Sequence, residues 1–449
     1  MDPSVRPRFL SGKLSRHVPI SVGFGPVPDL EVTRRLWGSG MRLLLLCSTG
    51  HRIGGWFRYV PLGQALFRRG AKVTMVNVSP INSLHFTSEM DNGVRIIEVP
   101  RLRGWQYFAC GTRFPWDILY RMGLIGTGGF DVVHGFGHAF NSAFPLWAAP
   151  FLSPRTATIY DREDLWRDGG LRGPRRPWWT IAGLNDRIDN WFEANTPRLT
   201  DAITVVSEDL RTRTVQHGYD PSRIFDLPNG CRVDQFAPGD AALARKTLGL
   251  PKERPILLYV AVGTYDAMMV LEAMSRLPGL GHPDVLAVMV GNMGEQVRTD
   301  IVRRGLEDSV TLPGWISQEP LKLHLQAADL GLMPQADTPF NRSRWPIKVG
   351  DYLASGLPVV TTRVGEVGRL IAESGAGVAT APDVEAFARG ISDLLDKPQG
   401  PLRRLARATA EGLSWDVVAA GAEETYRTVM RRRSALSLTR FSRFGGASQ

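Results

Sequence analysis

Cysteine is scarce in this sequence. Three residues (Cys47, Cys110, Cys231), odd in number and far apart, exclude a disulfide framework and a CxxC metal site, and they fit a reducing compartment or simple core packing. Long apolar runs are missing too. A membrane-spanning helix needs roughly 18 or more apolar residues. The nearest run, residues 140–152, is short and broken by Asn141, Ser142, Pro145 and Pro150. The first forty residues lack the charged start and apolar core of a secretory signal, so a cytoplasmic location is expected. The loop after the first apolar run, His51-Arg-Ile-Gly-Gly-Trp, is not GxGxxG, which leaves a nicotinamide or flavin site unsupported.

Charge is in excess on one side, and its location decides its meaning. The 449 residues carry a formal net charge of +10. Residues 1–40 hold Arg6, Arg8, Lys13, Arg16, Arg34 and Arg35 against Asp2, Asp29 and Glu31; residues 431–449 hold Arg431, Arg432, Arg433, Arg440 and Arg443 with no acid. The body between them is nearly neutral. That argues against a nucleic-acid partner. An anionic membrane fits the tails better, at about 1 kcal/mol per basic residue near such a surface; solvated ends are the equal alternative. Residues 1–40 are expected to be a flexible extension, with Met41 a candidate start, and residues 432–449 a second flexible tail.

Hydrophobic residues make up 43% and charged residues 22%, an ordinary globular balance that excludes wholesale disorder. Short apolar runs predict strands at 42–49, 72–78, 93–99, 131–134, 156–160, 202–206 and 224–227, with helices between them, among them 178–197 and 207–217. After a linker with Pro238 and Gly239 the alternation restarts, with strands at 255–262, 285–290, 310–312, 330–333 and 358–361 and helices including 320–327 and 347–354. Helices 384–396 and 416–431 close the chain. Such alternation implies an α/β fold of two doubly wound, Rossmann-like domains facing across a cleft. The expected limits are 41–238 and 239–415, with 416–431 a separate closing helix.

The segment Asn341-Arg-Ser-Arg-Trp-Pro-Ile-Lys-Val-Gly-Asp-Tyr-Leu-Ala-Ser-Gly-Leu-Pro-Val-Val resembles the donor-site helix of retaining GT-B glycosyltransferases of family four. Further marks follow in the expected order: Thr204-Val-Val-Ser-Glu, Leu227-Pro-Asn-Gly with Asp234 and Phe236, Val262-Gly, Val290-Gly, Leu312-Pro-Gly, Ala327-Ala-Asp-Leu-Gly-Leu-Met-Pro and Leu413-Ser-Trp. The resemblance covers residues 41 to about 430. It implies an enzyme of hexosyltransferase type, active in polysaccharide or glycan assembly. A sugar would pass from a nucleotide diphosphate sugar to a hydroxyl of a glycan or lipid-linked acceptor, with retention. The first domain would take the acceptor and the second the donor, and the last helix would return to the first domain. No cofactor or divalent metal is implied. Two other readings share the fold: a sugar-nucleotide epimerase, and a non-catalytic partner in a membrane glycan assembly complex.

Pro346 suits a helix start, leaving free N–H groups that favour phosphate. Lys348 and Asp351 are three apart and share a helix face, so the cation is expected on the diphosphate and the carboxylate on the ribose hydroxyls. An intrahelical ion pair is the alternative. The family places two glutamates around this helix. Here the first position is Ser343 and the second is Asp351, one methylene shorter. An Arg and a Lys usual after the strand that opens the donor domain are missing beyond Gly263, and Lys348 with Arg342 or Arg344 is expected to supply that charge. Gly54 and Gly55 allow close backbone approach to a ligand, or simply a turn.

His134 and His138 are four apart, but Gly135 and Gly137 lie between them and no third metal ligand follows, so no metal site is expected. His138 is a candidate acceptor contact. Asp161, in Tyr160-Asp-Arg-Glu-Asp, is a candidate to orient the acceptor hydroxyl or take its proton; an acidic loop held by Arg162 and Arg167 is the alternative. Residues 172–192 combine Arg175, Arg176, Trp178, Trp179, Arg187, Trp191 and Phe192. They suit either an interfacial helix at the inner face of a membrane or aromatic packing on the core.

Overall fold

The computed structural model describes residues 40–50, 54–79, 86–100, 115–166, 170, 177, 179–261 and 266–444. The expected extension 1–40 lies, all but its last residue, outside them. The first half runs β1 (Arg42–Gly50), α1 (Trp56–Arg68), β2 (Lys72–Val78), β3 (Thr87–Asp91), β4 (Val94–Val99), α2 (Pro115–Gly128), β5 (Val132–Phe136), α3 (Phe140–Leu152), β6 (Ala157–Arg162), α4 (Ile181–Leu199), β7 (Ala202–Val205), α5 (Glu208–Gln216) and β8 (Ile224–Asp226). Its sheet order is β3-β4-β2-β1-β5-β6-β7-β8, parallel except for β3 against β4.

The Leu43–Leu46 run forms β1 because the strand is covered on both faces. Leu43 and Leu45 join Tyr59, Leu62 and Leu66 of α1 in one core, while Leu44 and Leu46 join Ile125 of α2 and Leu146 of α3 in another. A parallel strand buried on both sides reads as a continuous apolar stretch.

The second half runs α6 (Ala241–Leu248), β9 (Ile256–Val260), α7 (Ala267–Met274), β10 (Leu286–Val290), α8 (Glu295–Arg304), β11 (Val310–Gly314), α9 (Gln318–Ala327), β12 (Leu330–Met333), α10 (Pro339–Ser343), α11 (Ile347–Ala354), β13 (Val359–Thr362), α12 (Gly365–Ser374), β14 (Gly377–Thr380), α13 (Val384–Leu395), α14 (Gln399–Gly412) and α15 (Trp415–Phe444). Its parallel sheet has the order β11-β10-β9-β12-β13-β14. Strand order reverses between β1 and β5 in the first sheet and between β9 and β12 in the second. Ligands of open parallel sheets lie beyond the carboxyl ends of the strands at such points.

The closing helix returns to the first sheet. Trp415, Ala419, Ala422 and Tyr426 of α15 pack in the same core as Leu43 and Tyr59, and Arg68 at the end of α1 and Arg69 just after it pair with Asp416 and Glu423. It does not stop at residue 431 as the sequence reading expects. No proline or glycine interrupts residues 432–444, and Arg433 is fixed by Asp201 Oδ1 at 2.7 Å and the Pro154 carbonyl at 2.9 Å. The tail expected from residue 432 is therefore helical as far as Phe444.

Candidate active site

On the first domain, the site is built where β1 turns into α1. Gly54 has φ 53°, and a Cβ on Gly55 would lie 2.0 Å from the Tyr59 hydroxyl, so only glycine fits over that side chain. The Tyr59 hydroxyl donates to the Glu163 carboxyl at 2.6–2.7 Å. Opposite, at the end of β5, Gly137 has φ 72° and its missing Cβ would approach Glu163 Oε1 to 3.1 Å. Burial, then the charges of Asp161 and Asp164, push Glu163 up to about 8. Burial likewise raises Asp164 to about 7, with Arg344 of the second domain drawing it down.

Asp161 does not face this mouth. It is fully buried: Arg58 Nε and Nη2 donate to its two oxygens at 3.1 and 3.0 Å, and the Thr204 hydroxyl donates at 2.5 Å. Enclosed on every side by this ion pair, Asp161 is shut off from the mouth, so the expected base or orienting role is corrected to a structural one. The same Arg58 donates to the Leu227 carbonyl at 2.8 Å and to Asn229 Oδ1 at 2.7 Å. His138 lies directly after Gly137, buried and 4.7 Å from the Trp166 ring. His134 is deeper, between the Tyr426 hydroxyl and Thr204, and burial lowers it to about 4, so it stays neutral.

On the second domain, α11 brings Lys348 to the end of β9. Lys348 Nζ donates to the Val260 carbonyl at 2.6 Å and lies 5.3 Å from the Tyr259 ring centre. Burial, reinforced by Arg344, lowers it to about 7. Arg344 stacks on Phe340, 4.7 Å from the ring centre, with Nη2 at 3.6 Å from Asp266. Arg344, Lys348 and Asp266 thus form one group at the start of α7. Gly263 lies outside the described residues.

Three expected donor residues are placed elsewhere. Asp351 is buried, and Arg232 Nε and Nη2 hold its two oxygens at 2.9 and 2.6 Å; burial keeps its carboxyl above the usual range even so. The expected ribose contact is corrected to a buried ion pair, and the intrahelical Lys348–Asp351 pair does not form either. Ser343 is fully buried, its hydroxyl donating to the Phe340 carbonyl at 3.1 Å, so it does not reach toward a sugar. Arg342 pairs in the exposed part of α10 with Asp337 at 2.5–2.7 Å.

The domains meet through Asn229. Its amide donates to the Trp345 carbonyl at 2.6 Å, the Trp345 indole donates back at 2.7 Å, and Ser207 Oγ donates to the Ser343 carbonyl at 2.7 Å. Arg58, Asn229, Arg232, Glu163, Asp164 and Asp266 are the site residues that sequence reasoning missed. The acidic run Asp161-Arg-Glu-Asp carries both the buried Asp161 and the two carboxyls, Glu163 and Asp164, that lie at this mouth. Arg232 and Asp266 carried no local signal.

Two family models match the chain: "Glycosyltransferase Family 4" over residues 54–235 and "Glycosyl transferases group 1" over residues 240–412. Among relatives, the "D-inositol 3-phosphate glycosyltransferase" of Streptomyces scabiei is 27% identical over 53% of this chain and 56% of its own length. That of Segniliparus rotundus is 30% identical over 49% and 50%. The chain spans about half the length of both. The protein of that name from Acidothermus cellulolyticus is 26% identical over 71% of this chain and 72% of its own. In fold, the chain resembles sucrose-phosphate synthase from Thermosynechococcus elongatus (TM-score 0.68, 20% identity, 87% of this chain and 100% of that one). It also resembles Anabaena Alr3699/HepE in complex with UDP and glucose (TM-score 0.64, 18% identity, 86% and 100%). The two-domain GT-B fold is thereby shown.

Proposed function

This chain belongs to the group 1 glycosyl transferases, and we propose that it moves a sugar from a nucleotide diphosphate sugar to a hydroxyl of a glycan, cyclitol or lipid-linked acceptor, with retention. The observation that carries the reading is the pair of cations, Arg344 and Lys348, gathered at the strand-order reversal of the second sheet. Charge grows on the leaving diphosphate in the transition state, so fixed cations there lower the barrier. With those cations in place, transfer needs no divalent metal.

The relatives' printed name suggests D-inositol 3-phosphate as the first acceptor to try. Incubation with UDP-, GDP- and ADP-glucose, with and without that acceptor and with and without EDTA, tests the reading by product analysis. A glucoside of retained anomeric configuration, formed equally in EDTA, is the expected product. Interconversion of the donor sugar without acceptor would instead favour the epimerase.

We assign the acceptor side to Glu163 rather than Asp161. As a carboxylate it accepts the acceptor hydroxyl, orienting it. Its raised value means that it ionises only near pH 8, so transfer rises as pH increases through about 8. Glu163→Gln is expected to lower the rate above pH 8 about tenfold and flatten that rise, with nucleotide affinity unchanged. A normal pH profile in the variant would refute the assignment.

Peripheral attachment to the inner face of the cell membrane completes the reading, with the chain otherwise cytoplasmic. No helix among the described residues is long and apolar enough to cross a membrane. Trp116 and Leu119 of α2, Phe151 of α3, and Leu184 and Trp191 of α4 are exposed on neighbouring helices, whereas Phe192 is buried against the core. Arg172, Arg175, Arg176 and Trp178 lie outside the described residues. Exposed apolar clusters of this kind mark interaction surfaces. Trp116→Ser combined with Phe151→Ser is expected to weaken sedimentation with phosphatidylglycerol-containing vesicles at least fivefold; unchanged sedimentation would count against this face.

A further inference from the structure

Asp266 stands where an incoming anion would be held. It precedes α7 at the carboxyl end of β9, and its backbone is left-handed, with φ 51°. Among the described residues Asn92 is the other non-glycine with positive φ, and it sits in a hairpin turn. Such a conformation in a residue that is not glycine persists only where its surroundings impose it, and it gathers at functional sites. The Asp266 carboxylate does not cap α7. It accepts from the Ala336 amide and from Asn341 Nδ2, both at 3.3 Å, and lies 3.6 Å from Arg344 Nη2. Its negative charge also acts on Lys348 against the effects of burial and Arg344. One carboxylate therefore faces both cations assigned above to the donor.

We propose that Asp266 is an internal competitor for the donor's diphosphate, holding Arg344 in the donor-free protein and releasing it when the diphosphate enters. The inference rests on the donor-site reading of Arg344 and Lys348. Two anions cannot share those cations without repulsion at close range. Donor entry then requires the Asp266 carboxylate to turn away from Arg344, and with it a change in the hydrogen bonds to Ala336 and Asn341. Asp266 thus sets donor affinity below what the cations alone would give. Neutralising it strengthens binding, the reverse of what loss of a binding or purely structural residue does.

Calorimetric titration of UDP into wild type, Asp266→Asn and Asp266→Gly tests this. Asparagine and glycine both accept the left-handed backbone, so the pair separates charge from local shape if one of them folds poorly. At low salt both variants are expected to bind UDP at least fivefold more tightly than wild type. The gain should shrink at high salt, where screening weakens charge effects, and should largely vanish in an Arg344→Gln background. Binding by the variants where wild type binds nothing measurable would support the inference in its strongest form. Affinity equal to or weaker than wild type in both folded variants would overturn it while leaving the donor site standing. If no protein in the series binds UDP, GDP or ADP, the donor-site reading fails, and the competitor role fails with it.

Discussion

Arg58→Ala is expected to remove about 3–5 kcal/mol of folding stability, the loss typical of breaking a buried ion pair from one side. In a domain of this size that lowers the thermal midpoint by about 6–20 °C. The guanidinium is 2% exposed and makes four hydrogen bonds: two to Asp161, one to the Leu227 carbonyl and one to Asn229. Burial pulls its pKa down, but the charges of Asp161 and Glu163 more than offset this, so it stays charged. Alanine strands the Asp161 carboxylate in the core with Thr204 as its remaining partner. It also frees Asn229, whose amide holds Trp345 of the second domain. Arg342→Ala is the contrasting control. That pair is half exposed, and surface ion pairs contribute about 0–1 kcal/mol. A thermal midpoint for Arg58→Ala within 2 °C of wild type would contradict the structural role given to Asp161.

The second large effect concerns Lys348. Its removal is expected to weaken binding of a nucleotide sugar by about 1.5–3 kcal/mol, the range for a hydrogen bond to a charged group, or roughly ten- to hundredfold. The effect carries a pH signature. In the free protein Lys348 is lowered to about 7, chiefly by burial, so near neutral pH it is only partly charged. A diphosphate beside it favours the charged form and raises its value. Donor binding therefore takes up a proton, and affinity falls as pH rises above about 7 until the bound-state value is passed. UDP-glucose suits this measurement because its diphosphate does not itself titrate there. Wild type is expected to lose affinity between pH 6.5 and 8.5, and Lys348→Met to bind weakly with little pH dependence. Equal pH dependence in the two proteins would place the titrating group elsewhere.

Local chemistry made much of the fold legible. Ile347–Ala354 forms the expected helix because Pro346 starts it and Gly356, at φ 68°, follows its end. The Leu43–Leu46 run is expected as a buried strand and is one, covered on both faces. By contrast β3 (Thr-Ser-Glu-Met-Asp) has no apolar alternation; all but its last residue are exposed, and the Asn92-Gly93 turn imposes its pairing with β4. That dipeptide is the one local signal for this hairpin.

The site was less legible because its decisive contacts are not local. Arg58 meets Asp161 across 103 positions and Arg232 meets Asp351 across 119. No spacing rule reports such a partner, so the sequence offers Arg162 and Arg167 beside Asp161 and Lys348 beside Asp351, where the structure has Arg58 and Arg232. Lys348 and Arg344 stand out in the sequence because they lie in or just before a segment, α11 and its approach, with a recognisable sequence. Their opponent Asp266 lies 78 residues before Arg344 on another element, and nothing in Gly-Thr-Tyr-Asp reveals the encounter.

The central claim is that the second domain holds a nucleotide diphosphate sugar through Arg344 and Lys348. Its most direct test is titration of UDP, GDP and ADP, with their glucose conjugates, into wild type and Lys348→Ala, both shown folded by circular dichroism. One nucleotide should bind selectively to wild type and at least tenfold more weakly to the variant. Identical binding to both proteins, or binding to neither, would contradict the claim.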